Sequence, residues 1–342
     1  MRPAASIVSA LLCALIITGC GGKPSAYYSA GELIVICDKS DRSLIKPVLE
    51  YTFGRTIDTP QPEPLFQITW ESATSLKQHT RSPLLLLAAT LDGSGPTAAM
   101  LRRMVTPEIE MSIRSGDYAV FARRDPWARG QLLLILAAPD QRQLGQSANQ
   151  WADSLYRWAV SSEMQRLQKS LLRRGEQTSS ERRLTEKHSF ILHIGHAYTI
   201  AEENDSPAFI RLIRHKPNCW LTVAWGPMPD PAKLTPEFIY QQRKVLGNAF
   251  SDPVVTYDDR WQWEDATLGE LPAIRIRGLW ARIEPTGGGP FFSYGLWNPT
   301  DRRYYIIDGA VFAPGETKMP HLWQLDALAQ TFIPPGSQRK QP

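Results

Sequence analysis

The chain is poor in the residue types that usually announce a chemistry. Of its 342 residues only four are cysteine and six histidine. Cys13 and Cys20 lie at the N-terminal end, which leaves Cys37 and Cys219 for the body. So few thiols exclude a disulfide-built scaffold and a cysteine-rich zinc module. An oxidising compartment permits a Cys37–Cys219 bridge, but sequence alone does not place their Cα atoms close enough. His188, His193 and His196 lie nearest one another, yet on a strand residues 193 and 196 point to opposite faces, so no metal site is expected. There is no Gly-x-Ser-x-Gly elbow, and no Gly-rich loop leads into a helix. Gly287-Gly-Gly289 precedes Pro290 and a strand-like run, which is hairpin chemistry, and no cofactor is expected. Charge of one sign is also missing, with 38 Lys and Arg against 34 Asp and Glu, so nucleic acid is not an expected partner.

What is present begins at the N-terminus. Arg2 precedes a short apolar run, Ile7 to Ile17, too short to span a bilayer and suited to a signal peptide over residues 1–19. It ends in Ile17-Thr-Gly-Cys20, which resembles a bacterial lipobox. That resemblance implies cleavage before Cys20 and acylation of Cys20, with several chains anchoring the protein at about 0.8 kcal/mol per buried CH₂. Residues 20–31 read as a small, polar tether. No acidic residue follows Cys20 directly, which by resemblance to other lipoproteins favours the outer membrane, facing the periplasm.

The length predicts two domains, and 43% hydrophobic with 21% charged residues describes an ordinary globular protein. An N-terminal α/β subdomain is expected over 32–175. Its strands are read at Leu33 to Cys37, Phe66 to Trp70, Leu84 to Thr90, Tyr118 to Ala122 and Leu132 to Ala138. A helix is read at Ser43 to Phe53, and Thr97 to Arg114 is helical in two pieces broken at Pro107. Asp140, with Gln143 three residues on, opens a long amphipathic helix whose apolar stripe is Leu144, Ala148, Trp151, Leu155 and Trp158. The charged stretch 176–187 is read as a linker.

A C-terminal antiparallel α+β subdomain is expected over 188–335, with a tail at 336–342. Strands are predicted at Phe190 to Ile194, Phe209 to Arg214 and Trp220 to Trp225. Thr235-Pro236 caps a helix burying Phe238, Ile239, Val245, Leu246 and Ala249, and Pro320 starts a last helix. Between the helices, Ala273 to Pro314 is a three-stranded meander with turns at Glu284 to Gly289 and Asn298 to Asp301. The apolar phase changes at Gly278 and again at Asp308-Gly309, which predicts β-bulges. Asp308 shares a face with Tyr304, Ile306 and Phe312, so a partner is expected from Arg275 or Arg277. The fold class is therefore α+β in two subdomains, the first a mixed sheet with a long helix, the second an antiparallel sheet with two covering helices. Its topology is similar, by analogy, to PsbP/Mog1-like domains.

Several strings carry a more particular likeness: Gln61-Pro-Glu-Pro-Leu-Phe66, Trp127-Ala with Gly130-Gln131, Arg277-Gly-Leu-Trp280, Gly288-Gly-Pro-Phe291, and Asp308-Gly with Val311 and Ala313-Pro-Gly315. Together they resemble the DUF4837 family of uncharacterised bacterial lipoproteins, over nearly the whole chain. Gly287 stands where that family is expected to have methionine, and Asp308 where glutamate is expected. The resemblance implies a cell-envelope lipoprotein and supplies no activity and no catalytic residues. The expected function is thus a non-enzymatic accessory or scaffold, anchored by Cys20 and binding another envelope protein. Glu63, Arg277, Trp280 and Asp308 are its candidate surface. The alternatives are a module binding a small molecule, peptide or glycan in a crevice between the halves, and a hydrolase assembled only in three dimensions.

Overall fold

A computed structural model of the chain describes residues 22–27, 29–57, 61–173, 175–283 and 287–337. The signal-peptide segment and Cys20 lie outside the described residues, as do most of the tail and residues 284–286 of the predicted turn. In order the elements are β1 (Glu32–Cys37), α1 (Lys39–Phe53), β2 (Thr56–Ile57), β3 (Glu63–Pro64), β4 (Gln67–Glu71), β5 (Leu84–Thr90), α2 (Pro96–Met104), α3 (Pro107–Ser115), β6 (Val120–Arg124), β7 (Leu132–Ala138), α4 (Gln141–Arg173) and α5 (Thr178–His188). Then come β8 (Thr199–Asp205), β9 (Ala208–Arg214), β10 (Asn218–Pro227), α6 (Pro236–Ala249), β11 (Val254–Leu268), β12 (Leu271–Arg282), β13 (Gly288–Asn298), β14 (Arg303–Phe312) and α7 (Met319–Ala329).

The described residues divide into two units: those within 1–28, 32–54 and 66–162 form the first, and those within 29–31, 55–65 and 163–342 the second. The first holds a five-stranded sheet in the order β4-β1-β5-β7-β6, parallel except for the β6 edge. Its central strands β5 and β7 are buried at every residue, as unbroken Leu/Ile/Ala runs require when both faces are covered. Asp140 opens α4 as expected, accepting the Gln143 N–H at 2.9 Å. Leu144, Ala148, Ala152, Leu155 and Ala159 are buried along α4, whereas Trp158 is 38% exposed. The tryptophans therefore flank the stripe instead of completing it. Residues 176–187 are not an open linker, since α5 occupies all of them from Thr178 on, and the division between units falls earlier, within α4.

The second unit is built on a seven-stranded antiparallel sheet, β11-β12-β13-β14-β10-β9-β8. Side chains alternate across it, so Ser293 and Tyr294 of β13 face opposite ways. Ser293 lies toward α6 through Asp308 and Arg243, and Tyr294 toward α7 through Asp326. The two helices thus cover opposite faces, and β13 is buried nearly throughout. In α6 the buried residues are Ile239, Tyr240, Arg243, Leu246 and Gly247, while Val245, expected inside, is 46% exposed. Phe190 to Ile194 is not a strand, since only Ile191 makes a bridge, to Ile333. Its Phe190 is buried, with Trp225 and Tyr305 edge-on to its ring and Phe332 tilted against it.

The predicted bulges also fall differently. Pairing of β12 with β13 runs unbroken past Gly278, and that of β13 with β14 past Asp308 and Gly309. The register shift lies in β11, where Thr256 faces Trp280 but Trp261 faces Gly278. Gly278 is needed there because a Cβ would sit 2.8 Å from the Arg260 carbonyl oxygen. Gly309 leaves room for the Phe292 ring in the same way. Apolar residues alternate irregularly along these strands because both faces are buried, not because the backbone slips.

Candidate functional site

Five strands present one polar side chain each at a single level of the α6-facing side. Pairing sets Glu202 of β8 beside Arg211 of β9, Arg211 beside Thr222 of β10, Thr222 beside Asp308 of β14, and Asp308 beside Ser293 of β13. A polar row across a buried sheet face is costly unless its members satisfy one another. At one end Arg211 Nη1 donates to Glu202 Oε1 at 2.8 Å, and Glu202 also accepts from the Ser251 N–H and hydroxyl. At the other end Ser293 donates to Asp308 Oδ1.

α6 closes this row from above with Arg243, an arginine on its apolar face. Its Nε lies 3.0 Å from Asp308 Oδ1, near enough for an ion pair but poorly aligned for a hydrogen bond. Nη1 donates to Thr256 Oγ1 at 2.6 Å, and the guanidinium carbon sits 3.7 Å from the Phe291 ring centroid. Arg211 is held similarly, 3.9 Å over Phe250 and 5.2 Å over Trp220. Burial pushes both arginines below their ordinary range, opposed by Asp308 for Arg243 and by Glu202 for Arg211. Burial raises the Glu202 carboxyl, but the bonds from Ser251 and the charge of Arg211 outweigh it and hold the group low.

Between these groups lies a cavity of about 10 Å³, room for about one water molecule. Its lining includes Arg211, Thr222, Arg243, Trp280, Arg282 and Asp308, and its rim is the exposed Asp252. Arg282 Nε stands 3.3 Å from Asp252 Oδ2. Five buried polar atoms of the lining have no hydrogen-bond partner: Arg243 Nε and Arg282 Nε, which stand in ion pairs with Asp308 and Asp252, and Arg211 Nε, Thr222 Oγ1 and Trp280 Nε1.

Of the residues singled out in sequence, Asp308 and Trp280 meet here, though not as a surface. Trp280 is 2% exposed and packs edge-on against Trp220 at 5.5 Å. Arg275 and Arg277 do not reach Asp308, because odd-numbered residues of β12 face α7. Arg275 pairs with Asp326 at 2.9 Å and Arg277 with Glu264 at 2.7 Å. Glu63 lies elsewhere in the same unit, where its carboxylate accepts the N–H groups of Lys318 and Met319 at 2.8 and 2.9 Å. It caps the start of α7, a structural bond to otherwise orphaned donors. His193 Nδ1 is 3.3 Å from Glu181 and 3.9 Å from Glu176, while Glu181 also accepts the Ile194 N–H at 2.6 Å. That carboxylate ties the chain locally. Cys37 and Cys219 are free, buried thiols, and burial pushes Cys37 up to about 12.

Sequence reasoning missed Arg211 and Arg243. The signal for Arg243 was its phase, since it falls four residues after Ile239 and three before Leu246, on the stripe that must be buried.

Comparison with known proteins also divides the chain in two, between residues 172 and 177, later than the division between units within α4. Residues 177–331 match the family model of a domain of unknown function, DUF4837, and residues 27–172 match a second, DUF8532. The likeness expected over nearly the whole chain is therefore to two families in succession. No curated protein matches. Among solved structures the chain is similar to the Ran-binding protein Mog1p of Saccharomyces cerevisiae, at 12% identity and a TM-score of 0.31. That match covers 42% of this chain and 89% of Mog1p. A mutant of Mog1 matches at 10% identity and a TM-score of 0.30, with the same coverage.

Proposed function

With residues 177–331 belonging to the DUF4837 family, we propose that this chain is a non-enzymatic accessory lipoprotein of the bacterial cell envelope. Cys20 carries the lipid that anchors it to the outer membrane on the periplasmic side. The antiparallel unit binds an extended segment of another envelope protein along β11. The supporting observation is that strand. It is fifteen residues long, lies at the end of the sheet order, and among the described residues pairs only with β12. An edge of this length offers backbone donors and acceptors to a further strand. Val255, Tyr257 and Trp263 stand 44%, 46% and 54% exposed on it. Asp258, Asp259, Glu264 and Asp265 outnumber Arg260 among its exposed charges, so the added segment is one carrying Lys or Arg. Two groups that could otherwise perform chemistry, Ser293 and Asp308, are 0% and 3% exposed and bonded to each other.

The test places a photo-crosslinking amino acid at position 263 of the membrane-anchored protein in cells. The expected result is one reproducible adduct that disappears with Tyr257→Lys. Cys20→Ser moves the chain to the soluble fraction and abolishes the adduct. The reading fails if position 263 gives no adduct, or gives the same set as the exposed Met111 position of the first unit.

A further inference from the structure

The cavity beneath α6 is lined by polar groups that strand addition along β11 does not use. Apart from the Nε atoms of Arg243 and Arg282, which face Asp308 and Asp252, its unpartnered atoms are a guanidinium N–H, an indole N–H and a hydroxyl, on side chains that are 5%, 2% and 1% exposed as residues Arg211, Trp280 and Thr222. The first two can only donate, and the third can donate. Unpartnered buried donors on side chains that line one space are complementary to a group that only accepts. Three arginines line that space against the carboxylates of Asp308 and Asp252. Glu202 already holds Nη1 of Arg211, while Arg211 Nε has no partner. A planar, singly charged acceptor suits the edge of a guanidinium. A dianion is disfavoured there by the like charges of Asp308 and Asp252.

We propose that the pocket formed by Arg211, Thr222 and Trp280 binds the carboxylate of a small organic acid or of a chain end. One carboxylate oxygen meets the indole and hydroxyl, and the other the Nε edge of Arg211. The body of the ligand leaves past Asp252 and Arg282, the only lining residues not fully buried. Phe250, Val254 and Trp220 supply the apolar wall beside that exit.

The test uses the full chain with ¹⁵N-labelled tryptophan, titrated with sodium acetate and with N-acetylglycine at fixed ionic strength. The Trp280 indole resonance, assigned with Trp280→Phe, is expected to shift saturably with both. Thr222→Val, which keeps the side-chain shape, is expected to weaken the binding by about tenfold, the loss of one hydrogen bond to a charged group. Urea unfolding of both variants shows that each remains folded. Saturation by inorganic phosphate with equal or greater affinity overturns the carboxylate assignment. No saturable shift with any of the three anions overturns the site and leaves the cavity a place for one structural water. A shift unaltered by Thr222→Val also refutes it, because the donors would not be those named.

Discussion

Replacing Arg243 by methionine tests the central claim about the sheet face, that a buried charge pair joins α6 to β14. Methionine keeps the length of the side chain and most of its packing, so the loss is chiefly of charge and hydrogen bonds. Asp308 would keep the bond from Ser293 and lose a cation 3.0 Å away, while Thr256 would lose its donor at 2.6 Å. Removing one partner of a buried ion pair costs about 3–5 kcal/mol, because the other charge is stranded away from water. Adding Asp308→Asn removes that stranded charge and keeps an acceptor for Ser293. The double variant should therefore recover about 2–3 kcal/mol relative to the sum of the single variants. Urea unfolding gives these differences, provided the slope is unchanged. Hydrogen exchange on residues 291–310 shows whether the loss lies in this sheet. A single-variant cost below about 1 kcal/mol, or a coupling near zero, would refute the reasoning.

Two further outcomes follow from the same kind of argument. Glu63→Ala should cost about 1–2 kcal/mol by uncapping α7, and hydrogen exchange should speed first at the Lys318 and Met319 amides. In the first unit, burial raises the Asp41 carboxyl, opposed by its bond from Gln141. A raised carboxyl favours the folded state while protonated, so its contribution is full at low pH and fades as pH rises through the raised value. Asp41→Asn should thus raise the melting temperature at neutral pH and leave it nearly unchanged in acid. A drop at neutral pH would count against this.

Much of the local structure was legible. Leu84 to Thr90 and Leu132 to Ala138 could be read as buried strands because no polar residue interrupts them. The Thr235-Pro236 cap stands as read, with Thr235 Oγ1 accepting the Phe238 N–H at 3.2 Å. The helix break at Pro107 and the opening of α4 at Asp140 stand likewise. The edge strands β8 and β11 went unread because their side chains are largely exposed and polar, so they carry no apolar period. Phe190 to Ile194 misled in the other direction. It is apolar because a loop is buried under rings, not because it pairs along a strand.

The candidate site divides along the same line. Composition and spacing determined that Asp308 is an inward carboxylate, that Glu63 sits in a stiff proline-spaced connector, and that two apolar-faced helices flank an antiparallel sheet. Those features depend on residues a few positions apart, which share a face through backbone geometry alone. Only tertiary structure decided that Arg243, and not Arg275 or Arg277, answers Asp308, and that Arg211, Thr222 and Trp280 line one space. Strands covered on both faces lose the alternation that would tell one face from the other. The partner of a buried charge is then set by the register of segments far apart in the chain.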